Sequence, residues 1–227
     1  HSPMEEADYS FTLGDIANGY HQGLAMCYLL DEGAQVGIML GQAGNPSGDA
    51  REEGINQGLA ECGDKIEVVG RQPADWDTVK ATSISENWYT QYPELAAISG
   101  VTDAYLYPSI ANAQSMGEDD VVFFGYDGDE AILQQMIDGP VMADILLSGT
   151  REGWNFVSMA TNIAVGNPPE EQLYDFFTPL VLTQENHEAM LADGFPEDVP
   201  VYYVEDALDV AVNGFTEFGP DSVELPE

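Results

Sequence analysis

Apolar residues follow two rhythms along this chain. Ile16, Tyr20, Leu24 and Cys27 recur every three or four positions, the spacing of one helix face, with Asp15 placed to cap the start and Gly33 to stop the run. Val36-Gly37-Ile38-Met39-Leu40 is a short apolar block, as expected of a strand buried on both faces. The two patterns then alternate. A Gly/Pro/Ser/Asn loop over 41–50 leads to a helix with Ile55 and Leu59 on one face, and 66–69 is the next strand. Asp77 can cap a helix carrying Ala81, Ile84 and Trp88. Strands are predicted at 95–99, 121–124 and 141–147, and helices at 105–116, 129–137 (closed by Gly139) and 153–165. Asn167-Pro168-Pro169 breaks the pattern, and the stretch after Asn186 reads looser, with a strand at 201–204 and a helix at 206–212.

Five strand–helix alternations with short links predict an α/β fold, a doubly wound parallel sheet with helices on both faces. In such sheets ligands sit outside the carboxyl ends of the strands. That rule selects five loops here: 41–50, 70–76, 100–104, 125–129 and 147–150.

Charge narrows the partners. Among 227 residues, five Lys+Arg against 41 Asp+Glu leave a formal net charge of −36. No basic footprint exists to neutralise phosphates, which argues against nucleic acid and against an anionic membrane surface. Hydrophobic residues make up 44% of the chain and come in regular blocks, so a core can form and disorder is a poor reading. A globule of this size exposes roughly 10,000 Å², which spaces the net charges about 17 Å apart. That is under two Debye lengths at ~0.1 M salt and over five at ~1 M. A salt-rich source is one explanation and an acidic secreted protein is the other. Cys27 and Cys62 form no disulfide framework and no CxxC metal spacing, and are expected as small buried hydrophobes rather than a bridge. The first ten residues show no basic and no apolar leader region.

Motifs for catalysis are missing: the three histidines are scattered, no HExxH or GxSxG occurs, and the 41–48 loop lacks the Lys-Ser/Thr ending of a phosphate cradle. Asp127-Gly128-Asp129-Glu130 lacks calcium-loop spacing, and Asp129 reads as a helix cap. The expectation is a non-enzyme without metal or cofactor. Polar and aromatic residues do cluster at the selected loops. Arg51 offers a planar fork of donors that suits vicinal hydroxyls or a carboxylate, or an ion pair with Glu52, Glu53 or another neighbour. Trp76 offers a flat face to a sugar ring, or packing at a loop–helix junction. Asp127 can accept two hydroxyl hydrogen bonds, or cap the next helix. Thr102 can face a ligand, while Asp103 is expected to cap the 105–116 helix.

Four blocks, in order, carry a resemblance. Gly44-Asn45-Pro46-Ser47-Gly48-Asp49-Ala50-Arg51-Glu52-Glu53-Gly54-Ile55, Ala74-Asp75-Trp76-Asp77-Thr78-Val79-Lys80-Ala81, the stretch from Val121 to Gly128, and Thr178-Pro179-Leu180-Val181-Leu182-Thr183-Gln184-Glu185-Asn186 together resemble the sugar-binding periplasmic receptors of ABC transporters, the ribose/galactose type with the periplasmic binding protein-like I fold. The resemblance runs from about Phe11 to Asn186. It implies Arg51, Trp76 and Asp127 as ligand contacts, with Asn45 and Ser47 on a ligand-touching loop. Thr102 stands where the family usually has Asn, and Leu147 where it often has Asn or Gln, so a polar ligand contact is expected to be lost.

The family has two lobes joined by three crossings, and most of the first lobe is not matched here. The resemblance implies 1–14 as the end of that lobe and a hinge, 15–147 as the second lobe, 148–180 as the segment returning to the first, 181–190 as the last crossing, and 191–227 as an acidic extension. A truncated fragment is therefore expected. Its 153–165 helix should expose an apolar face including Trp154, Phe156 and Val157, and a homodimer through that surface is the partner this would attract. The expected role is a receptor that binds a small sugar or polyol between two lobes and hands it to an ABC permease, in the periplasm or outside the cell, with lipid anchoring an option. The alternative is the ligand-sensing domain of a LacI-like transcription regulator.

Overall fold

The computed structural model describes residues 9–168, 173–175 and 178–213. In chain order the elements are β1 (Ser10–Thr12), α1 (Asp15–Leu29), β2 (Ala34–Leu40), α2 (Pro46–Ala60), β3 (Ile66–Pro73), α3 (Thr78–Gln91) and β4 (Leu95–Gly100). A 3-10 turn (Asp103–Tyr105) leads into α4 (Leu106–Met116), β5 (Val122–Phe124), α5 (Glu130–Asp138), β6 (Val141–Ile145) and α6 (Gly149–Ala164). β7 (Leu173–Asp175), β8 (Leu180–Leu182), α7 (Gln184–Ala192), β9 (Val201–Tyr203) and α8 (Val204–Asn213) follow.

The main sheet has the order β3-β2-β4-β5-β6-β8-β9, and β2 to β6 run parallel. β8 is antiparallel to β6, and β9 is parallel to β8. Right-handed crossovers therefore set α2, with α1, on one face and α3, α4 and α5 on the other. The core is the double-sided apolar strand blocks: Val36, Ile38, Met39, Ile98, Phe123, Phe124 and Ile145 are all fully buried. β1 pairs with β7 in a separate two-stranded sheet.

The pattern-based elements are present, with instructive shifts. α2 begins inside the predicted loop, because Asn45 Oδ1 accepts from the Gly48 N–H and Pro46 is suited to a first helical position. Asp77 caps α3 as expected, accepting from Val79 and Lys80 N–H. Beyond Asn186 the chain is more regular than its composition suggests: α7, unpredicted, is capped by Thr183, and β9 and α8 complete the sheet edge.

Two expectations are corrected where α1 meets α2. Asp15 does not cap α1. Gly14 holds the cap position with φ 62°, and Asp15 is buried against α2. Cys27 and Cys62 are disulfide-bonded, with Cα atoms 5.8 Å apart. The cause is a glycine seam. A Cβ on Gly19 would lie 2.2 Å from the Arg51 carbonyl, and one on Gly54 2.0 Å from the Ile16 carbonyl, with Gly23 and Gly58 equally crowded. Only glycine lets the two backbones touch this closely, and the contact carries the cysteines into bonding range.

Candidate binding site at the carboxyl edge of the sheet

Chain connections diverge between β2 and β4, the switch point at which wound sheets open a crevice. Arg51 projects into it from α2. Its Nε bonds Asp15 Oδ1 at 2.9 Å, its Nη1 donates to the Val101 carbonyl at 2.7 Å, and the same Nη1 lies 3.5 Å from Asp127 Oδ1. Its Cζ stands 3.8 Å over the Tyr126 ring and 6.0 Å from the Trp76 ring. The pairing with Glu52 or Glu53 considered from sequence does not form. Glu52 instead faces Arg71 at 3.8 Å.

Trp76 is 36% exposed and stacks on Tyr105 at 6.3 Å between centroids. Its backbone N–H donates to the Tyr105 hydroxyl, and its ring lies against Gly41 and Gly48. The loop with Asn45 and Ser47 is thus its neighbour, and the Asn45 side chain is engaged as the α2 cap. Asp127 follows β5 with its side chain 28% exposed. Thr102 Oγ1 donates to Asp127 Oδ2 at 2.5 Å, and the Asp103 N–H donates to it at 3.3 Å. Arg51, Trp76, Asp127 and Thr102 therefore meet at one edge. Leu147, 8% exposed, lies one residue from Ser148, whose N–H donates to the Asp127 carbonyl at 2.6 Å.

Backbone strain collects here. Among the described residues the non-glycine positions with positive φ are Asp75, Trp76, Asp127 and Ser148, all on loops at this edge. Each costs on the order of 1–3 kcal/mol and persists where the surroundings dictate it.

Several residues of the site gave no signal of their own in the sequence. Tyr126 is fully buried beneath Arg51; its hydroxyl donates to Asp15 Oδ1 at 3.0 Å and accepts from Asn18 Nδ2 at 2.9 Å, and burial raises its pKa so that it stays protonated. Gln22 donates to the carbonyls of Gly100, Phe124 and Gly125, tying the ends of β4 and β5 to α1. Asp103 is a correction: it caps no helix of its own but accepts from the Tyr126 and Asp129 N–H groups of the next loop. Asp129 holds the α5 cap position without a side-chain cap bond and accepts from the Tyr107 hydroxyl. Burial pushes the Asp127 carboxyl up to about 6, opposed by Arg51 and the Thr102 hydroxyl. The edge thus offers one hydroxyl acceptor, one oriented cation and one half-exposed indole face. Among the described residues no group of His, Cys, Asp and Glu could hold a metal ion.

Comparison with known proteins places the chain in a family. The family described as "Periplasmic binding protein domain" matches residues 2–168. The D-allose-binding periplasmic protein of Escherichia coli (strain K12) is 36% identical over 100 residues, covering 43% of this chain and 31% of that protein. The ribose import binding protein RbsB of the same strain is 30% identical over 135 residues, covering 60% and 45%. An ABC transporter solute binding protein from Bacillus halodurans C-125 with bound myo-inositol has a TM-score of 0.69 and 25% identity, covering 82% of this chain and 64% of that one. The chain spans less than half the length of these two curated relatives.

Proposed function

The chain belongs to the periplasmic binding protein domain family, and on that premise we propose that it forms one wall of a cleft that takes a small sugar or polyol for an ABC importer. Asp127 accepts ligand hydroxyls, Arg51 holds Asp127 and adds a donor, Trp76 stacks on the ligand's C–H face, and Thr102 orients the Asp127 carboxylate. Asn45 and Ser47 are proposed as flanking contacts. The observation that carries this reading is the Arg51 guanidinium, which reaches Asp127, Tyr126 and the Trp76 ring from one position at the sheet's carboxyl edge. In the electrostatic balance Asp15 and Asp127 outnumber Arg51, which favours a neutral polyhydroxylated ligand over an anionic one.

The opposite wall belongs to a first lobe, as the family resemblance implies, with α6 and the β1–β7 pair proposed to join it. Supporting this, α6 leaves Trp154, Phe156 and Val157 exposed at 44%, 61% and 60%. A homodimer through α6 is the arrangement proposed for the chain without that lobe, and the two are separable by sedimentation with and without it. Delivery to a permease and a periplasmic or extracellular location complete the reading. The Cys27–Cys62 bond supports it, because disulfides persist in oxidising compartments. No described helix is long and apolar enough to cross a membrane.

Calorimetry with D-allose, D-ribose and myo-inositol on the two-lobed protein tests the site. Trp76→Ala or Asp127→Ala should weaken whichever of these binds by more than about tenfold, or ~1.4 kcal/mol. Unchanged affinity in both variants removes these side chains from the site.

A further inference from the structure

Behind the rim lies a second acid cluster that the binding reading leaves unused. Asp103 is fully buried, and its two carboxyl oxygens accept from the Tyr126 N–H at 2.9 Å and the Asp129 N–H at 2.8 Å. Asp144, on β6, is 1% exposed. Its Oδ1 accepts from the Ile145 N–H at 2.6 Å, while its Oδ2 is buried with no hydrogen-bond donor. The two carboxyls converge over Gly125, where a Cβ would lie 2.5 Å from Asp103 Oδ1 and 3.0 Å from Asp144 Oδ2. Ionised carboxylates only accept hydrogen bonds, so two of them side by side repel and leave each other unsatisfied. One proton on Asp144 Oδ2 turns it into a donor to Asp103 and removes the orphan.

We propose that Asp103 and Asp144 share a single proton across Gly125, and that this acid pair positions the 125–129 loop that presents Asp127. The Asp103 carboxyl fastens both ends of that loop, through Tyr126 and Asp129. The surrounding groups leave the charge uncompensated. Asp127 and Asp129 face the pair from the loop, Tyr107 from α4, and Tyr126 lies between the pair and α1. Arg51 of α2 is the neighbouring cation, and its described contacts go to Asp15 of α1, Val101 and Asp127, not to the pair. Burial, then the neighbouring acids, push both carboxyls well above the ordinary range. Because these groups are raised on folding, their stabilisation is full below the unfolded carboxylate range of ~3.9 and is lost as pH climbs through the folded values.

Carboxyl carbon-13 NMR of the whole chain against pH tests this directly. In the wild type, one Asp carboxyl carbon besides that of Asp127, which Asp127→Asn identifies, should remain in its protonated position after surface carboxylates have ionised. In Asp144→Asn the side-chain amide replaces the protonated acid as donor to Asp103, its oxygen still accepts from Ile145, and the raised titration should vanish. Hydrogen-exchange protection of the Tyr126 and Asp129 amides should fall with rising pH in the wild type and fall less steeply in Asp144→Asn. Asp103→Asn, which can accept at only one oxygen, should lose protection at one of these amides at every pH. A wild type in which every Asp carbon other than that of Asp127 titrates in the ordinary range overturns the proposal, and that spectrum decides alone if Asp144→Asn does not fold. Unchanged pH dependence of protection in a folded Asp144→Asn overturns it as well.

Discussion

Two groups of buried acids lie on either side of Asp127 and are neutralised in opposite ways. Asp15, toward α1, is met by the Arg51 guanidinium and the Tyr126 hydroxyl. Asp144, toward β6, has no cation among its described neighbours and an oxygen with no donor. The chain has five Lys+Arg residues. Arg71, Lys65 and Lys80 are spent outside the core: Arg71 near Glu52, Lys65 on the Cys27 carbonyl, and Lys80 on Asp75. A protein this poor in cations can place one behind its binding edge. Where that cation reaches, a buried carboxylate has an ion-pair partner. Where it does not, a proton does the same electrostatic work, and the acid becomes pH-sensitive structure.

The strongest way to break the contrast is to turn the first group into the second. Arg51→Met leaves Asp15 buried without its cation and should cost about 3–5 kcal/mol at neutral pH in urea unfolding. A loss under ~1 kcal/mol means Arg51 is not what compensates the buried Asp15. Next in size is the disulfide at the far end of the α1–α2 seam. Replacing Cys27 and Cys62 by alanine should cost about 2–4 kcal/mol. If the seam itself sets the geometry, the cost of Arg51→Met should be unchanged in that background.

Asp127 sits between the regimes and gives a smaller effect. Its raised value means stability is lost as pH climbs through about 6. Asp127→Asn should flatten thermal stability across that window, and an identical slope in both proteins would assign the change to other groups. Salt should act most gently. Melting temperature should rise between ~0.1 M and ~1 M sodium chloride as surface repulsion is screened. The increment should be equal in wild type and Arg51→Met, since the buried pair is shielded from ions. A flat profile would count against surface repulsion as a measurable term.

The alternation of helix and strand was legible because it is written in local spacing: Val36 to Leu40 as a block, Asp77 before Ala81, Ile84 and Trp88. Errors fall at boundaries decided by single side chains, such as Asn45 drawing α2 back to Pro46. Of the residues gathered at this edge, Trp76, Asp127 and Thr102 were readable from positions just past strands, and Arg51 from its place right after the 41–50 loop. Tyr126 was visible next to Asp127 but indistinguishable from core, since burial under a guanidinium leaves no trace in spacing. The glycines at 19, 23, 54 and 58 were a usable sign: two helices with small residues four apart can touch backbones, which would have suggested the disulfide and the Asp15–Arg51 pair together.

Sequence alone determined the wound sheet, the loops at its carboxyl edge and a large negative net charge, because helix and strand periodicity and net charge depend only on residues near in the chain or on their sum. Tertiary structure alone decided which carboxylates meet Arg51, which must face each other over Gly125, and that Cys27 bonds Cys62. These pairings join residues 35 or more positions apart, and their distances are set by how closely α1 and α2 pack and how the β4, β5 and β6 loops converge.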